Sequence, residues 1–495
     1  MTALSNRLRF WADAVVECNR RDHTNALSQG NQRGPFRSAR VLGMAMAALH
    51  DGYALAVVPA KTPLLPGSVG LPVPPGADAH VVAAAACKEV LTRRYPLLVG
   101  YIDSAWRGWL DVNGLTAFAA SPSEKMGQAL GKSIEEIGAM DPTYAMANQY
   151  MPAARPYTHN RPANEPNQNF SGASWGKATR LLAAHVTGFP PPPGRVDDET
   201  VNHTQHFRDD LQRVTEKGGL DQTAIAPAAR RTLDEETTGI FWGYDGPQEL
   251  GTPPRLYMQV VLAILDNVDV AAPAGLPEYD GLQMASAIAV AIADAGIDAW
   301  HYKYSDDHMM WRPCLGIPNA VPGNGTAVPL WQPLGRPDTN GTGVGLTPDF
   351  PAYPSGHATF GAAAFQLLRL MLKQKGFASF APNGLDDVRF DLTSDEYDGR
   401  NADARTRLPR NALVRGYPSL WKAITDNSVS RVYLGVHWQF DGVTIKVGVG
   451  DGFGIPTDPA ALGKTGGVWL GCRIANQIAD KVGVSAANIA ASKAG

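Results

Sequence analysis

Three separated segments of this 495-residue sequence combine basic residues and histidines in patterns that suit the binding of a compact anion. The first reads Pro-Ser-Gly-His at 354–357 and leads into an apolar stripe with helical spacing. A helix start presents unpaired N–H groups, so Gly356 can bring its amide to an anion while Ser355 adds a hydroxyl. His357 would then stand beside the anion as an acid–base group. The alternative is that Ser355 is an ordinary helix N-cap.

The second segment, residues 430–441, places Arg431 six residues before His437 and Asp441 four residues after it. If the segment is helical, His437 and Asp441 share a face, and the carboxylate can orient the imidazole or strengthen it as a ligand. The alternative for His437 is a histidine packed in the core, which is the commoner fate of a lone histidine in an apolar stretch.

The third segment, residues 300–313, carries Lys303 and an Arg-Pro pair at 312–313. Pro313 predicts the end of a helix, because the residue before a proline avoids the helical conformation. Taken singly, Lys303 resembles a solvated surface charge and Arg312 a partner of the helix C-terminus. Eight residues separate Lys303 from Arg312, so a regular helix would point the two side chains to opposite sides. They can converge only if the chain between them leaves the regular helix.

Together these segments resemble the signature shared by vanadium-dependent haloperoxidases and the type-2 phosphatidic acid phosphatase superfamily. That signature is a lysine before Arg-Pro, then Pro-Ser-Gly-His, then Ser-Arg with a histidine six residues after the arginine. Vanadate and phosphate are tetrahedral oxyanions that suit lysine, bidentate arginine and backbone N–H donors. The resemblance implies that His437 bonds vanadium and that His357 is the acid–base histidine. It implies an oxyanion cradle made of Lys303, Arg312, Arg431, Ser355 and the Gly356 amide.

Further matches favour the fungal chloroperoxidase branch, among them Phe-Trp-Gly-Tyr-Asp-Gly at 241–246. Asp245 matches the carboxylate that pairs with the family's second arginine, here Arg431. Phe350 and Trp300 match aromatic positions near the halide, although ordinary core packing is the alternative for both. The family usually has six residues between the lysine and Arg-Pro, so this chain carries an insertion. If the insertion displaces Lys303, then His301 or His308 could occupy its place.

The resemblance implies an oxidoreductase, a vanadium haloperoxidase that oxidises bromide, chloride or iodide with hydrogen peroxide and halogenates a small organic acceptor. Vanadate would be the cofactor, without haem or flavin. The second hypothesis is a soluble acid phosphatase that uses the same cradle, with His437 attacking phosphorus and His357 protonating the leaving group. A third, a helical scaffold that binds phosphate without turnover, leaves His357 and Lys303 without roles.

Helical periodicity dominates the elements that must position these residues. The stripe after the Pro-Ser-Gly-His motif recurs at residues 360, 364, 367, 368, 371 and 372, and no comparable series of alternating strands exists. Long stretches rich in glycine and proline lie between the helical patterns. We therefore predict an all-α fold of two four-helix-bundle-like halves with long ordered loops. The proline run at 190–193 suggests a mainly structural N-terminal half, residues 1–190, and a C-terminal half that carries the site, residues 191–495.

Composition excludes several classes of function. Charged residues make up 18% of the chain and the net charge is −3, so there is no basic footprint for nucleic acid or a polybasic membrane surface. The four cysteines lack metal-ligand spacing and are expected to be mostly buried thiols. Neither a signal peptide nor a membrane-spanning run is recognised. We expect a soluble protein whose compartment, export and oligomeric state, a homo-oligomer included, stay open.

Overall fold

The computed structural model describes residues 4–28, 30–68, 70–142, 149–153, 155–194, 205–268, 276–321, 323, 325–448 and 450–495. Among the described residues before 270, the helices are α1 (Asn6–Asp22), α2 (Pro35–Ala56), α3 (Ala79–Arg94), α4 (Val99–Val112), α5 (Pro122–Ile137), α6 (Gln205–Gly218), α7 (Leu233–Phe241) and α8 (Pro253–Val268). Those after it are α9 (Glu278–Lys303), α10 (Pro313–Gly316), α11 (Gly356–Gln374), α12 (Leu420–Tyr433), α13 (Gln439–Gly442), α14 (Gly467–Lys481) and α15 (Ala486–Ala491). The all-α prediction is confirmed.

The strands of the described residues form two small antiparallel hairpins at the periphery. Strand β1 (Phe390–Thr393) pairs with β2 (Val414–Tyr417), and β3 (Ile445–Val447) pairs with β4 (Gly450–Gly452). Each strand has only three or four residues, which is too short to produce an alternating pattern that stands out in a sequence.

The longest helix, α9, is the centre of the molecule. Acidic residues Glu278 and Asp280 lie in its first turn, where they complement the positive end of the helix dipole. Its alanine-rich middle is buried on all sides, because α2, α11 and α14 pack around it. By length and composition α9 could cross a membrane, but 94% of the relevant window is buried inside the protein, as in a core helix. Its C-terminal end at Lys303 reaches the site described below.

Helix α11 carries the Pro-Ser-Gly-His motif at its first turn and is buried along its length from Gly356 to Leu372. It packs closely on α14, where a Cβ added at Gly471 would collide with the carbonyl of Thr359. This close approach of two backbones encloses the N-terminus of α11 between α9, α12 and α14. The first turn of α11 therefore faces the protein interior.

The predicted division at residue 190 stays a prediction, and helices from the two halves are in extensive contact, because α2 packs along α9. The expectation for the cysteines is confirmed. All four are free thiols, and Cys18, Cys87 and Cys472 are buried.

Candidate active site

The three predicted segments meet around one small enclosed cavity. Its wall is formed by residues from α2, α9, α11, α12 and the connecting loops: Pro35, Asp245, Trp300, Pro348, Phe350, Gly356, His357, Phe360, Arg431 and His437. Lys303 and Arg312 lie directly behind this wall, within 5.1 Å and 5.0 Å of the centre of the Phe350 ring. The sequence-predicted residues are therefore brought together.

Lys303 reaches the site because α9 ends there. The chain then turns through residues 304–308 and runs extended to Arg312, so the segment leaves the regular helix as convergence requires. The expectation that Pro313 ends this helix is wrong, because Pro313 instead begins the short helix α10. A proline fits a first helical position equally well, since its missing N–H would have had no partner there.

The ammonium group of Lys303 binds the backbone of the segment that leads into the Pro-Ser-Gly-His motif. It donates to the carbonyls of Pro351 at 2.8 Å, Ala352 at 3.1 Å and Pro354 at 2.6 Å. Burial, and then the charge of Arg312, lowers the pKa of Lys303 well below its ordinary value. Three carbonyls accept from this group, and only the ammonium form has three N–H donors, so the geometry favours a charged Lys303 that gives the cavity positive charge. Direct contact with an anion requires it to exchange one carbonyl.

Arg312 holds two sides of the cavity together. Its Nε donates to the Phe350 carbonyl at 2.7 Å, and its Nη1 donates to the Val436 carbonyl at 2.6 Å and lies 3.3 Å from Nε2 of His437. Its Nη2 is buried and has no partner among the described residues. Neither histidine alternative occupies the position of Lys303: His301 is exposed, and His308 lies against Phe189 outside the cavity wall.

The first turn of α11 places three of the predicted residues. Ser355 does cap the helix, since its Oγ accepts from Ala358 N at 3.4 Å, and its own N–H donates to the Asp441 carbonyl at 2.7 Å. Gly356 lines the cavity beside Trp300. His357 directs Nε2 toward the cavity, where the atom is buried, 3.9 Å from Oδ1 of Asp245 and without a hydrogen-bond partner among the described residues. Burial, then Arg431, lowers the pKa of His357 to about 3.

Arg431 and Asp245 form a buried ion pair on the opposite side of the cavity. The Nη2 of Arg431 donates to Oδ2 of Asp245 at 2.5 Å, while Nε and Nη1 of Arg431 are buried without partners among the described residues. Burial alone would raise the pKa of Asp245, but Arg431, then His357 and Arg336, together lower it. Asp245 thus stays ionised and fixes the guanidinium, which leaves two N–H groups free for an anion.

His437 is positioned by a turn. Helix α12 ends at Tyr433, and Gly435 has φ +69°, a left-handed conformation that a side chain would strain. The helical premise for this segment is therefore wrong, yet the predicted pair forms: Nδ1 of His437 lies 2.9 Å from Oδ2 of Asp441. Asp441 also accepts from Trp438 N at 2.9 Å, and its backbone carbonyl accepts from Ser355 N at 2.7 Å. One residue thereby joins the His437 turn to the start of α11.

The hydrogen bonds of His437 assign its tautomer. The carboxyl oxygen of Asp441 beside Nδ1 accepts a hydrogen bond, and the arginine beside Nε2 donates one, so the imidazole proton is on Nδ1 and the lone pair is on Nε2. Burial, then Arg312 and Lys303, lowers the pKa of His437 well below its ordinary value. Burial likewise raises the pKa of Asp441. The neutral imidazole therefore keeps a lone pair that can bind a metal.

The donor set fits an oxyanion. Lys303, Arg312 and Arg431 are all fully buried, and mutual repulsion adds to burial in lowering the pKa of Arg312 to about 10. A buried donor without a partner costs about 1–3 kcal/mol, so several of them around one cavity call for an acceptor. Within the described residues no group of three His, Cys, Asp or Glu side chains could hold a bare metal cation. Vanadium in the form of the anion vanadate fits these residues.

The two aromatic residues predicted near the halide lie in the cavity wall and in the core. Trp300 and Phe350 line the cavity and are also core residues, with ring centroids 4.8 Å apart. Trp300 donates from Nε1 to the Ser171 carbonyl at 3.1 Å and packs on Phe36 of α2. Sequence reasoning missed Pro35 of α2 in the cavity wall, because nothing in the sequence near Pro35 indicates contact with motifs so far along the chain.

Two further residues missed in the sequence support the first turn of α11. The Tyr257 hydroxyl and the Asn427 amide both donate to the carbonyl of His357, at 3.1 Å and 2.8 Å, and the hydroxyl lies 3.0 Å from Oδ1 of Asn427. These two hydrogen bonds fix the backbone carbonyl of His357, the acid–base candidate. Only their position within otherwise apolar helical patterns could have singled them out.

Comparison with known proteins agrees with this fold. Residues 283–454 match the family model of the second helical-bundle domain of VCPO. The vanadium chloroperoxidase of Curvularia inaequalis is 30% identical over an alignment of 559 positions that covers 96% of this chain and 89% of that protein. The chain belongs to the family of vanadium-dependent haloperoxidases. Its predicted likeness to the fungal chloroperoxidase branch is confirmed.

Two solved structures share the fold at low sequence identity. The first bacterial vanadium-dependent iodoperoxidase has a TM-score of 0.65 and 18% identity, with 98% of each chain covered. The holo-type bacterial vanadium-dependent chloroperoxidase has a TM-score of 0.55 and 15% identity, with 93% of this chain and 94% of that chain covered. These likenesses support the helical architecture alone.

Proposed function

We propose that this protein is a vanadate-dependent haloperoxidase that oxidises halide with hydrogen peroxide and so halogenates organic acceptors. The observation that carries the proposal is the cavity itself. Arg431 and His437 line it, and Arg312 lies behind its Phe350 wall. Both arginines have buried N–H groups without partners among the described residues, and the lone pair on Nε2 of His437 faces Nη1 of Arg312 at 3.3 Å. An oxyanion that also accepts a nitrogen ligand satisfies both features at once.

The proposed roles follow from these contacts. His437 would be the protein ligand of vanadium, and Asp441 holds its proton on Nδ1 so that the lone pair stays on Nε2. Arg312 and Arg431 would bind vanadate oxygens, and Gly356, which lines the cavity at the start of α11, would add its amide as a donor. Lys303 supplies positive charge. When bound, vanadate supplies Lewis acid chemistry that activates peroxide without a change of oxidation state.

His357 is the proposed proton carrier. Halide oxidation consumes one proton, since H₂O₂, X⁻ and H⁺ give HOX and H₂O. With its pKa lowered to about 3, the imidazole is neutral at ordinary pH and can accept a proton at Nε2. An anion in the cavity would raise this pKa, because it offsets the charge of Arg431. His357 would then hold a proton beside the reacting oxygen and deliver it.

The halide side of the cavity is apolar. Trp300 and Phe350 form this wall, and the cations Lys303 and Arg312 lie behind the Phe350 ring. A halide ion there would lose water but gain the attraction of two buried cations. We propose bromide, iodide and chloride as substrates. The phosphatase alternative is not favoured, because the 30% identical relative is a chloroperoxidase.

The division of the chain is proposed on the same basis. Every residue of the proposed cradle lies within 191–495, while residues 1–190 contribute Pro35 to the cavity wall and pack behind Trp300 through Phe36. We propose that the N-terminal half is mainly structural.

The test is halogenation of a diketone reporter by vanadate-free protein, with chloride, bromide and iodide in turn, before and after addition of orthovanadate. Peroxide consumption should appear only with vanadate and halide together. His437→Ala should abolish it, whereas His301→Ala should not, because His301 is exposed near the end of α9 and lies outside the cavity. Hydrolysis of p-nitrophenyl phosphate, without any response to vanadate and halide, would refute the proposal in favour of a phosphatase.

A further inference from the structure

The small cavity borders a larger cleft, here called the vestibule. The two share Pro35, Asp245, Pro348 and Phe350 in their walls. The vestibule has a volume of about 330 Å³, which is the lower end of the range for pockets that take small organic ligands. A water molecule takes roughly 30 Å³ of liquid volume, so the vestibule is far larger than a channel for one ion or peroxide requires.

Most charged groups in the vestibule already have partners. Asp245 is paired with Arg431, and Glu165 accepts from Thr347 N at 2.8 Å and from its hydroxyl at 3.1 Å. Asp349 accepts from the hydroxyl of Ser171. The guanidinium of Arg33, at the exposed rim, donates to Asn25 at 2.8 Å. These groups shape the wall but offer little to a ligand.

Arg336 differs from them. Its side chain is half-buried in the vestibule wall, and it has no hydrogen bond or ion pair with any residue that the structure describes. Its charge helps to lower the pKa of Asp245 and of Asp349, but each of these carboxyls is bonded to another partner. The Arg336 backbone is fixed, because its N–H donates to the Leu346 carbonyl at 2.8 Å. Arg336 is thus a cation on a fixed backbone in a cleft whose carboxylates are hydrogen-bonded to other groups, so it is suited to pair with an anion from outside.

Gln168 supplies a second unused group. Its Nε2 donates to the Thr347 carbonyl at 2.8 Å, which fixes the amide, and its Oε1 is buried without a donor among the described residues. A carbonyl oxygen repels a halide but accepts from a hydroxyl or an N–H group. The vestibule therefore offers one site for an anion and one for a hydrogen-bond donor.

We propose that the vestibule binds the organic acceptor and that this acceptor carries both a carboxylate and a hydroxyl or N–H group. Arg336 binds the carboxylate through two N–H groups, and Oε1 of Gln168 accepts from the second group. The shared wall at Phe350 and Asp245 then places the bound molecule beside the cavity in which halide is oxidised.

This inference rests on the proposed function for its chemical step. The oxidised halogen passes from HOX, or its equivalent, to an electron-rich carbon of the bound acceptor. A carbon–halogen bond forms as the oxygen–halogen bond breaks, and the displaced proton of the acceptor combines with the released hydroxide to give water. Halogenation of a bound acceptor selects among molecules, whereas HOX released into solution reacts according to their intrinsic reactivity.

Binding is tested by calorimetry on protein loaded with orthovanadate, so that a carboxylate cannot occupy the cradle. The probes are 4-hydroxybenzoate and its neutral analogue 4-hydroxybenzamide. The expected result is at least about tenfold tighter binding of 4-hydroxybenzoate, from one charge-assisted pair at a half-buried site. Arg336→Gln should remove the preference, and Arg33→Gln, the same charge change at the rim, should keep it. Equal binding of both probes, or loss of the preference in both variants, overturns the proposal.

The chemical step is tested by bromination of an equimolar mixture of the two probes, with the product ratio compared with that from reagent hypobromous acid. The enzyme should enrich the brominated carboxylate by roughly tenfold over the reagent ratio, and Arg336→Gln should return the ratio to the reagent value. An enzyme ratio equal to the reagent ratio, or a raised KM for bromide in Arg336→Gln with the ratio unchanged, overturns the acceptor assignment. If neither probe is brominated, the proposed function is overturned, and the calorimetry still tests the binding site.

Discussion

Replacement of Asp441 by alanine should weaken vanadate binding without touching any atom that contacts vanadate. Asp441 accepts from Nδ1 of His437 at 2.9 Å and from Trp438 N at 2.9 Å. Asp441→Ala removes the partner that keeps the proton on Nδ1. The imidazole can then rotate or place its proton on Nε2, and in either case the lone pair no longer faces the cavity.

The size of the effect follows from the position of the carboxylate behind a metal ligand. Loss of such a partner typically weakens metal binding by about 10–100-fold, or about 1.4–2.7 kcal/mol. Asp441→Asn keeps an oxygen that accepts from Nδ1, so its loss should be smaller than that of Asp441→Ala. Phosphate, which has no bond to the imidazole, should lose less affinity than vanadate in both variants.

The control for this experiment is Asp210, which supports the same turn from another side. It accepts from the backbone N–H groups of Gln439 at 2.7 Å and Phe440 at 2.8 Å but does not contact His437. Asp210→Ala should destabilise the fold by about 1–3 kcal/mol for each buried N–H left without a partner, with a smaller change in vanadate affinity.

The assay is calorimetric titration of each vanadate-free variant with orthovanadate and with phosphate, alongside urea denaturation. The expected order of vanadate affinity is wild type, then Asp441→Asn, then Asp441→Ala, with Asp210→Ala near wild type. If Asp441→Ala binds vanadate as tightly as wild type, or loses no more affinity than Asp210→Ala, then vanadate binding does not depend on the orientation of His437 by Asp441.

Four further outcomes are expected. His357→Gln should lower halide turnover by about 10²–10⁴-fold with a much smaller change in vanadate affinity, and a parallel loss of both in steady-state kinetics and calorimetry would contradict a proton-carrying role. Lys303→Met should raise the Kd for vanadate by roughly tenfold, because a buried positive charge is removed, and an unchanged Kd would exclude Lys303 from the site. Gly435→Ala should lower the free energy of unfolding, measured by urea denaturation, by at least about 1 kcal/mol, since φ is +69° and a Cβ would collide with the Gly218 carbonyl. An unchanged free energy of unfolding would show that a side chain at this turn causes no strain. For vanadate-free protein, the free energy of unfolding should fall as the pH is lowered from 6.5 to about 3, because His357 takes up a proton in the unfolded chain but not when it is buried. The slope is up to about 1.4 kcal/mol per pH unit. A His357→Gln variant with the same slope would contradict this expectation.

The candidate residues of the site could be proposed from the sequence because three motifs occur together in the order of a known family, whereas each residue taken singly has an ordinary alternative. Arg431 and His437 lie in an apolar segment, and the polar Pro-Ser-Gly-His motif directly precedes a long apolar helix. Such residues are expensive to bury without a ligand, so their presence at these spacings is informative. The helical class follows equally from the periodicity of the segments that become α9 and α11.

The geometry between those residues could not be predicted in the same way. Lys303 converges with Arg312 because α9 ends at Lys303, and the following turn is held by contacts with residues distant in sequence, namely Tyr304 with the Ser171 carbonyl and His308 with the Phe189 carbonyl. His437 meets Asp441 after a turn made by Gly435, whereas the sequence argument for this pair assumed a helix. Pro35 and the vestibule arise from packing between segments distant in sequence, which no local pattern records.

The most direct test of the central claim is an anomalous-scattering map at the vanadium edge from crystals of this protein soaked in orthovanadate. We expect one vanadium peak in the cavity, bonded to Nε2 of His437, with Arg312 and Arg431 donating to its oxygens. A peak elsewhere, or an anion in the cavity without a bond to His437, would contradict the assignment of a vanadate cofactor to this site.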